Sequence, residues 1–205
     1  MIKAVFFDFD GVITIEATGT TSIVNYITSK TDIDKDLFDK EYRKYNPDLL
    51  LGKVTHKQIW NRLCESLNRK IPYKTLTDSF LNTKLDPNII SLARRMKPMG
   101  YKIGMITNNK TDRIQVISEL HKFTELFDVI SVPASLEMIK TNREIFLKAC
   151  RDVEVSPEEA VFIDNNPKNL TAPKEIGMHV IYFDNDERDY DNLINQLETI
   201  GIKSR

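Results

Sequence analysis

Residues 5–12 read VFFDFDGV, and this stretch decides the fold. The apolar run over residues 2–7 is continuous rather than alternating, which is typical of a strand buried on both faces of a parallel sheet. Asp8 and Asp10 follow at its end, where two neighbouring carboxylates in a low-dielectric site repel each other. A bound cation and a phosphate chemistry would explain this pair, and a solvated turn is the alternative. Gly11 permits a tight turn that brings the backbone close to a ligand.

Four further apolar segments have the same character, at residues 101–107, 127–132, 160–163 and 178–183. Helical patterns alternate with them, at residues 86–96, 111–120, 142–150 and 190–199. Asp86 and Pro87 suit the N-cap and the first position of the first of these helices. Because strands alternate with helices, we predict an α/β fold with a doubly wound parallel sheet. In such sheets the active site lies at the carboxyl ends of the strands.

The stretch over residues 14–84 differs, because it contains helical patterns and no convincing strand. The helical patterns lie at residues 21–29, 35–45, 57–68 and 73–82. Thr55 and Gln58 form a capping-box pattern before the third of them. We therefore predict an α/β catalytic core formed by residues 1–13 and 85–205, with an inserted all-helical cap formed by residues 14–84. The polar residues 18–21 are a candidate hinge at the start of the cap.

Composition and charge exclude several classes of partner. The 205 residues include 29 Lys and Arg and 30 Asp and Glu, so the net charge of -1 gives no field that would attract nucleic acid or an anionic membrane. The N-terminus does not resemble a signal peptide, and no apolar run reaches membrane-spanning length. Cys64 and Cys150 are far apart and favour thiols in a reducing compartment. We expect a cytoplasmic protein, and the sequence leaves its oligomeric state open.

Polar residues also follow other predicted strands. Thr107 and Asn108 come where a strand ends and a helix begins, and a hydroxyl, backbone N–H groups and a helix N-terminus together suit a phosphate. An ordinary N-cap is the alternative. Asp164 and Asn165 end another apolar run, and their oxygens suit a hard cation such as Mg²⁺. Lys140 precedes a helix, where a single lysine is ordinarily exposed.

The order of these segments resembles a known family. The pattern Asp8-x-Asp10-Gly-Val, Thr107-Asn108, Lys140 and Asp164-Asn-x-x-x-Asn is similar to the four motifs of the haloacid-dehalogenase-like superfamily, most of whose members are phosphatases. The spacing of 24 between the lysine and the last motif (164 − 140 = 24) resembles the helical-cap, sugar-phosphatase-type branch. The resemblance covers the whole chain and implies a Rossmann-like core.

The resemblance implies a Mg²⁺-dependent phosphohydrolase that acts on a small phosphomonoester through an aspartyl-phosphate, with sugar phosphates among the candidates. It implies that Asp8 is the nucleophile and that Asp10 transfers protons. It also implies that Asp8, the main-chain carbonyl of Asp10 and Asp164 hold Mg²⁺. The implied phosphate-binding residues are Thr107, Asn108 and Lys140. The implied partner is a small phosphorylated metabolite.

Three positions depart from the family pattern. Asn165 stands where a second acid is common, which affects metal affinity: it is either a further metal ligand or a residue that orients Asp164. Thr141 stands where proline is frequent. Pro173 falls where relatives continue a helix, so we predict that this helix is kinked or restarts near Thr171.

Other functions of the same fold stay open. A metal-independent dehalogenase would need neither Asp10 nor Asp164, and a phosphoglucomutase-like isomerase would keep Asp10 and differ in its cap. A phosphonate hydrolase would need a cap lysine, for which Lys53 is the candidate. A catalytically silent binding or regulatory module is disfavoured because both aspartates of the first motif are present. Tyr42 and Arg43 are further candidates to face the substrate, whereas Trp60 is assigned to the core of the cap.

Overall fold

A five-stranded, fully parallel sheet forms the centre of the computed structural model, which describes residues 1–133 and 138–203. The strands are β1 (Ala4–Phe7), β2 (Lys102–Ile106), β3 (Val129–Ser131), β4 (Ala160–Asp164) and β5 (His179–Tyr182). Their order is β3-β2-β1-β4-β5, and each strand lies within two residues of its predicted bounds. The predicted α/β fold with a doubly wound parallel sheet is therefore confirmed.

Strand β1 is central because both of its faces are apolar. It pairs in parallel with β2 and β4, and its four residues are fully buried. Val5 and Phe7 pack into one hydrophobic cluster, and Ala4 and Phe6 pack into a second cluster on the opposite face. The first cluster includes helices α6 (Pro87–Met96), α7 (Thr111–His121) and α11 (Tyr190–Thr199), and the second includes α9 (Glu144–Asp152) and α10 (Thr171–Glu175).

Between β1 and α6, where every residue is described, the chain forms five α-helices and adds no strand to the sheet. These helices are α1 (Gly19–Lys30), α2 (Lys35–Arg43), α3 (Asn46–Leu50), α4 (His56–Ser66) and α5 (Tyr73–Leu81). Helix α3 was not predicted, since Pro47 ordinarily disfavours a helix but is tolerated in its first turn. The candidate hinge residues form the start of α1: the side chain of Thr18 accepts from Thr21 N, and α1 begins at Gly19, so the hinge stays a prediction.

The two ends of this helical segment run side by side. Ile15 N donates to Lys84 O at 3.0 Å, and Asp86 N donates to Ile13 O at 2.7 Å. Within the segment the predicted capping box of α4 is present, and the buried Trp60 donates its indole N–H to Ile71 O at 2.8 Å. Trp60 therefore belongs to the apolar interior, as predicted.

Helix α10 restarts as predicted. A 3₁₀ turn over Pro167–Leu170 ends where α10 begins at Thr171, so Pro173 lies in the first turn, where its missing N–H is not needed. The short helix α8 (Phe123–Leu126) was not predicted. Among the described residues, no helix has both the length and the apolarity needed to cross a bilayer.

Candidate active site

The site lies where the chain order reverses in the sheet. Strand β1 leads to β2 and β3 on one side, while β4 and β5 lie on the other, and ligands of doubly wound sheets bind at such a switch point. Asp8 follows β1 directly, and Asp164 is the last residue of the neighbouring β4. Thr107 follows β2, with its N–H donated to Ser131 O at 3.0 Å. Parallel strands thus bring these three residues to one edge.

Lys140 joins the two carboxylates. Its Nζ lies 2.7 Å from Asp8 Oδ1 and 2.6 Å from Asp164 Oδ2, and the lysine is only 2% exposed. Asn108 Oδ1 accepts a hydrogen bond from Lys140 N at 2.9 Å, so the loop after β2 fixes the lysine's main chain. Lys140 is therefore buried and paired, unlike the exposed lysine that is usual at a helix start.

The protonation of this cluster follows from burial and from the neighbouring charges. Burial raises the pKa of Asp8 to about 7, against the lowering effect of Lys140 and with further raising effects from Asp164 and Asp10. Burial lowers the pKa of Lys140, but the two adjacent carboxylates outweigh it and hold this pKa above its ordinary value. The ammonium therefore stays charged while Asp8 titrates near neutral pH.

Asp164 is oriented by Asn169 and by backbone. Its Oδ1 accepts from Asn166 N at 2.7 Å, and Asn169 Nδ2 donates to both carboxylate oxygens at 3.1 and 3.2 Å. Asn165 instead donates from Nδ2 to Asn185 Oδ1 at 3.1 Å.

Asn165 was one candidate for the residue that orients Asp164. In the structure Asn169 makes those hydrogen bonds instead. Asn165 packs over Gly11, where an added Cβ would lie 2.2 Å from Asn165 Nδ2 and the φ of +81° favours glycine. Asn165 can therefore line the site only because Gly11 has no side chain to occupy the same space.

Asp10 is held by two residues that the sequence analysis missed. Asn109 Nδ2 donates to Asp10 Oδ2 at 2.7 Å, and Arg113 Nη1 lies 3.1 and 3.2 Å from the two carboxylate oxygens. Arginines on helices are ordinarily exposed. The signal that was available is the spacing, since Arg113 lies four residues before the buried Ile117 and so on the inner face of α7.

A cavity of about 430 Å³ opens above these groups. Its lining residues are mostly polar or small: Asp8, Asp10, Ala17, Thr18, Gly19, Thr20, Thr107, Asn108, Lys110, Lys140, Asn165, Asn166, Pro167 and Asn169. Tyr42, Arg43 and Lys53 are not among them, so this structure does not place these three candidates at the cavity wall. Tyr42 is fully buried, and the exposed Arg43 and Lys53 lie beside Asp39 and Asp48.

Lys110 is a second cation at the cavity. It is 7% exposed, and its Nζ donates to Thr20 Oγ1 at 3.3 Å and lies over the Tyr42 ring at 5.9 Å. Burial, followed by the charge of Arg113, lowers its pKa to about 8. The cavity therefore combines carboxylates with two buried amines.

The oxygen donors at this site suit Mg²⁺. The described residues contain no group of three or more His, Cys, Asp or Glu side chains that would form a metal cage. Mg²⁺ ordinarily binds through one or two carboxylates, with waters and a substrate phosphate completing its shell. Asp8 and Asp164 supply two buried carboxylates at the same edge of the sheet. The donor set therefore fits this ion.

Comparison with known proteins agrees with this arrangement. The sequence pattern of the haloacid dehalogenase-like hydrolases matches residues 2–177. The chain belongs to this family. It is an enzyme of the hydrolase class. The protein named "Putative pyrophosphatase PpaX" from Clostridium perfringens is 30% identical over 180 residues, covering 86% of this chain and 81% of that protein.

Solved structures of the same family share the fold. A HAD family enzyme from Bacteroides thetaiotaomicron, in complex with magnesium and inorganic phosphate, superposes with a TM-score of 0.72 at 16% identity, covering 94% of this chain and 99% of that one. A HAD phosphatase from Thermococcus onnurineus superposes with a TM-score of 0.63 at 23% identity, covering 100% of both chains.

The raised pKa of Asp8 predicts that the free energy of unfolding of this HAD hydrolase depends on pH. Because its folded pKa, about 7, lies above the ordinary 3.8, the stability it contributes is full below pH 3.8 and is lost as pH rises through 7. Without metal, the wild type should therefore lose stability between pH 5 and pH 8, and Asp8→Asn should lose much less over the same range. Urea unfolding in EDTA measures this difference.

The matched control for this prediction is Asp39→Asn, which removes a carboxylate that pairs with the exposed Arg43. It should leave the pH dependence of unfolding as in the wild type. An equal loss of stability between pH 5 and pH 8 in Asp8→Asn and in the wild type would contradict the account of Asp8 as a buried carboxylate with a raised pKa.

Proposed function

We propose that this protein is a Mg²⁺-dependent phosphatase that hydrolyses a small phosphomonoester through an aspartyl-phosphate on Asp8. The observation that carries the proposal is the buried ammonium of Lys140 between Asp8 and Asp164 at the floor of a polar cavity. Relatives named as phosphatases, and a related fold in complex with magnesium and phosphate, support it.

In the proposed first step an oxygen of Asp8 attacks phosphorus and the bond to the leaving oxygen breaks. An anionic nucleophile approaches an anionic phosphate only if positive charge is nearby, and Lys140 supplies it 2.7 Å from Asp8. Thr107 and the Asn108 backbone hold phosphoryl oxygens. When bound by Asp8, Asp164 and the Asp10 carbonyl, Mg²⁺ supplies further positive charge to the phosphoryl group.

Asp10 moves the protons in this proposal. In its protonated form it donates a proton to the departing alcohol, and the resulting carboxylate then takes a proton from the water that hydrolyses the aspartyl-phosphate. Asp10 lines the cavity, and its hydrogen bonds to Asn109 and Arg113 fix where its carboxylate points. A metal-independent dehalogenase would use neither this carboxylate nor Asp164, so the way both are held favours phosphatase chemistry.

Residues 14–84 act as a cap in this proposal. Thr18, Gly19 and Thr20 reach the cavity from the start of α1, whereas the floor comes from strand ends. Covering the site excludes water and strengthens the electrostatic interactions within it. Ala17 and Pro167 are the apolar members of the lining, so the cavity suits a small hydrophilic metabolite such as a sugar phosphate. The cytoplasmic location stays a prediction.

A screen of phosphomonoesters with and without Mg²⁺ tests the function. Asp8→Asn should lower kcat by about 10⁴-fold or more, because the covalent step is removed. Asp10→Asn should cost about 10²-fold with alkyl esters and much less with p-nitrophenyl phosphate, whose leaving group needs little protonation. Substantial activity of a folded Asp8→Asn variant, or full activity in EDTA, would refute the proposal.

Hydrolysis of inorganic pyrophosphate is a second candidate function, favoured by Lys110. Among the described residues this buried amine forms no ion pair with a carboxylate, and it faces the cavity near Thr20. A leaving group that is itself a phosphate would provide the missing negative charge. The relatives named pyrophosphatase agree with this candidate.

Lys110→Gln separates the two candidates. Loss of a charge-assisted contact should lower kcat/KM for pyrophosphate by about 10- to 100-fold, and for p-nitrophenyl phosphate by less than about 3-fold. Lys53→Gln is the control, since Lys53 is exposed on the helical segment away from the cavity. An equal loss on both substrates would contradict a role for Lys110 in binding an anionic leaving group.

A further inference from the structure

Arg113 is fully buried, although an arginine is rarely found in the interior without a partner. Its partner is Asp10, whose two carboxylate oxygens lie 3.1 and 3.2 Å from Nη1. The Phe9 ring covers the guanidinium at 5.4 Å. The charge of this arginine is therefore directed at the carboxylate that the proposed function assigns to proton transfer.

The same guanidinium also contacts the loop after β2. Nη1 donates to Asn109 Oδ1 at 3.1 Å, and Asn109 in turn donates from Nδ2 to Asp10 Oδ2 at 2.7 Å. Three side chains therefore form a closed network in which the orientation of Asp10 is fixed from two directions. Arg113 Nε has no hydrogen-bond partner among the described residues, so the hydrogen bonds of this guanidinium come from its two terminal nitrogens.

Both ends of the helical segment meet this network. At its start, a Cβ added to Gly19 would lie 2.4 Å from Arg113 Nη1 and 3.0 Å from Asp10 Oδ2, so only a glycine allows α1 to pack so closely. At its end, Arg113 Nη2 donates to Thr83 Oγ1 at 3.3 Å. The Arg113 side chain therefore contacts both ends of the helical segment as well as Asp10.

We propose that Arg113 is a positioning residue that holds Asp10 in place for proton transfer when both ends of the helical cap are packed against α7. This proposal rests on the proposed function, because it assigns Arg113 a role only through Asp10. Arg113 itself lies outside the cavity lining and is not expected to touch substrate.

The experiment compares wild type, Arg113→Gln, Asp10→Asn and the double variant on phosphate esters whose leaving groups range from p-nitrophenol to an alkyl alcohol. Arg113→Gln should lower kcat by about 10²-fold for the alkyl ester and by less than about 10-fold for the nitrophenyl ester. In the Asp10→Asn background it should cause no further loss, since the group it positions is already disabled.

Two variants guard against a merely structural effect. Arg113→Lys keeps the charge without the planar fork and should recover part of the alkyl-ester activity, and it replaces Arg113→Gln in the comparison if that variant does not fold. Arg43→Gln removes an exposed arginine paired with Asp39 and should leave the leaving-group dependence unchanged.

The outcomes distinguish this proposal from the function on which it rests. A loss from Arg113→Gln that is equal for all esters, or that adds fully to Asp10→Asn, overturns the positioning role alone. If Asp10→Asn itself shows no dependence on the leaving group, both the role of Asp10 and the role of Arg113 are overturned.

Discussion

The contact of the Lys140 ammonium with Asp8 and Asp164 is the interaction on which the rest of the site depends. Adjacent parallel strands place Asp8 and Asp164 at one edge of the sheet, where burial strengthens the repulsion between their carboxylates. The ammonium offsets that repulsion, and Asn108 fixes its main chain. Removing the ammonium would leave two buried carboxylates uncompensated, at a cost of about 3–5 kcal/mol, so strand order, loop geometry and site charge are coupled.

Helix α7 is the second organising element, because its first turn faces both the helical segment and the cavity. Lys110, just before it, lines the cavity, and Arg113 holds Asp10. Asp112 between them accepts from His56 N at 2.9 Å and contacts His56 Nδ1 at 2.8 Å, while His56 Nε2 lies 2.6 Å from Tyr42 OH. Buried polar contacts, together with apolar packing, therefore dock the segment onto the core.

The sequence predicts well what depends on local pattern and strand direction. The apolar run before Asp8 predicts β1, and the ends of parallel strands must meet, so the approach of Asp8 to Asp164 follows. It predicts poorly what depends on which way a side chain turns in the packed interior. Tyr42 was expected at the substrate and is buried, while Arg113 was missed because its buried ion pair joins residues 103 positions apart.

The stereochemical course at phosphorus tests the central claim most directly. An isotopically chiral thiophosphate monoester is hydrolysed in isotopically labelled water, and the configuration of the released thiophosphate is measured. Attack by Asp8 followed by attack of water on the aspartyl-phosphate makes two in-line displacements, so the account predicts retention of configuration. Inversion would mean that water attacks the substrate directly, and it would contradict Asp8 as the nucleophile.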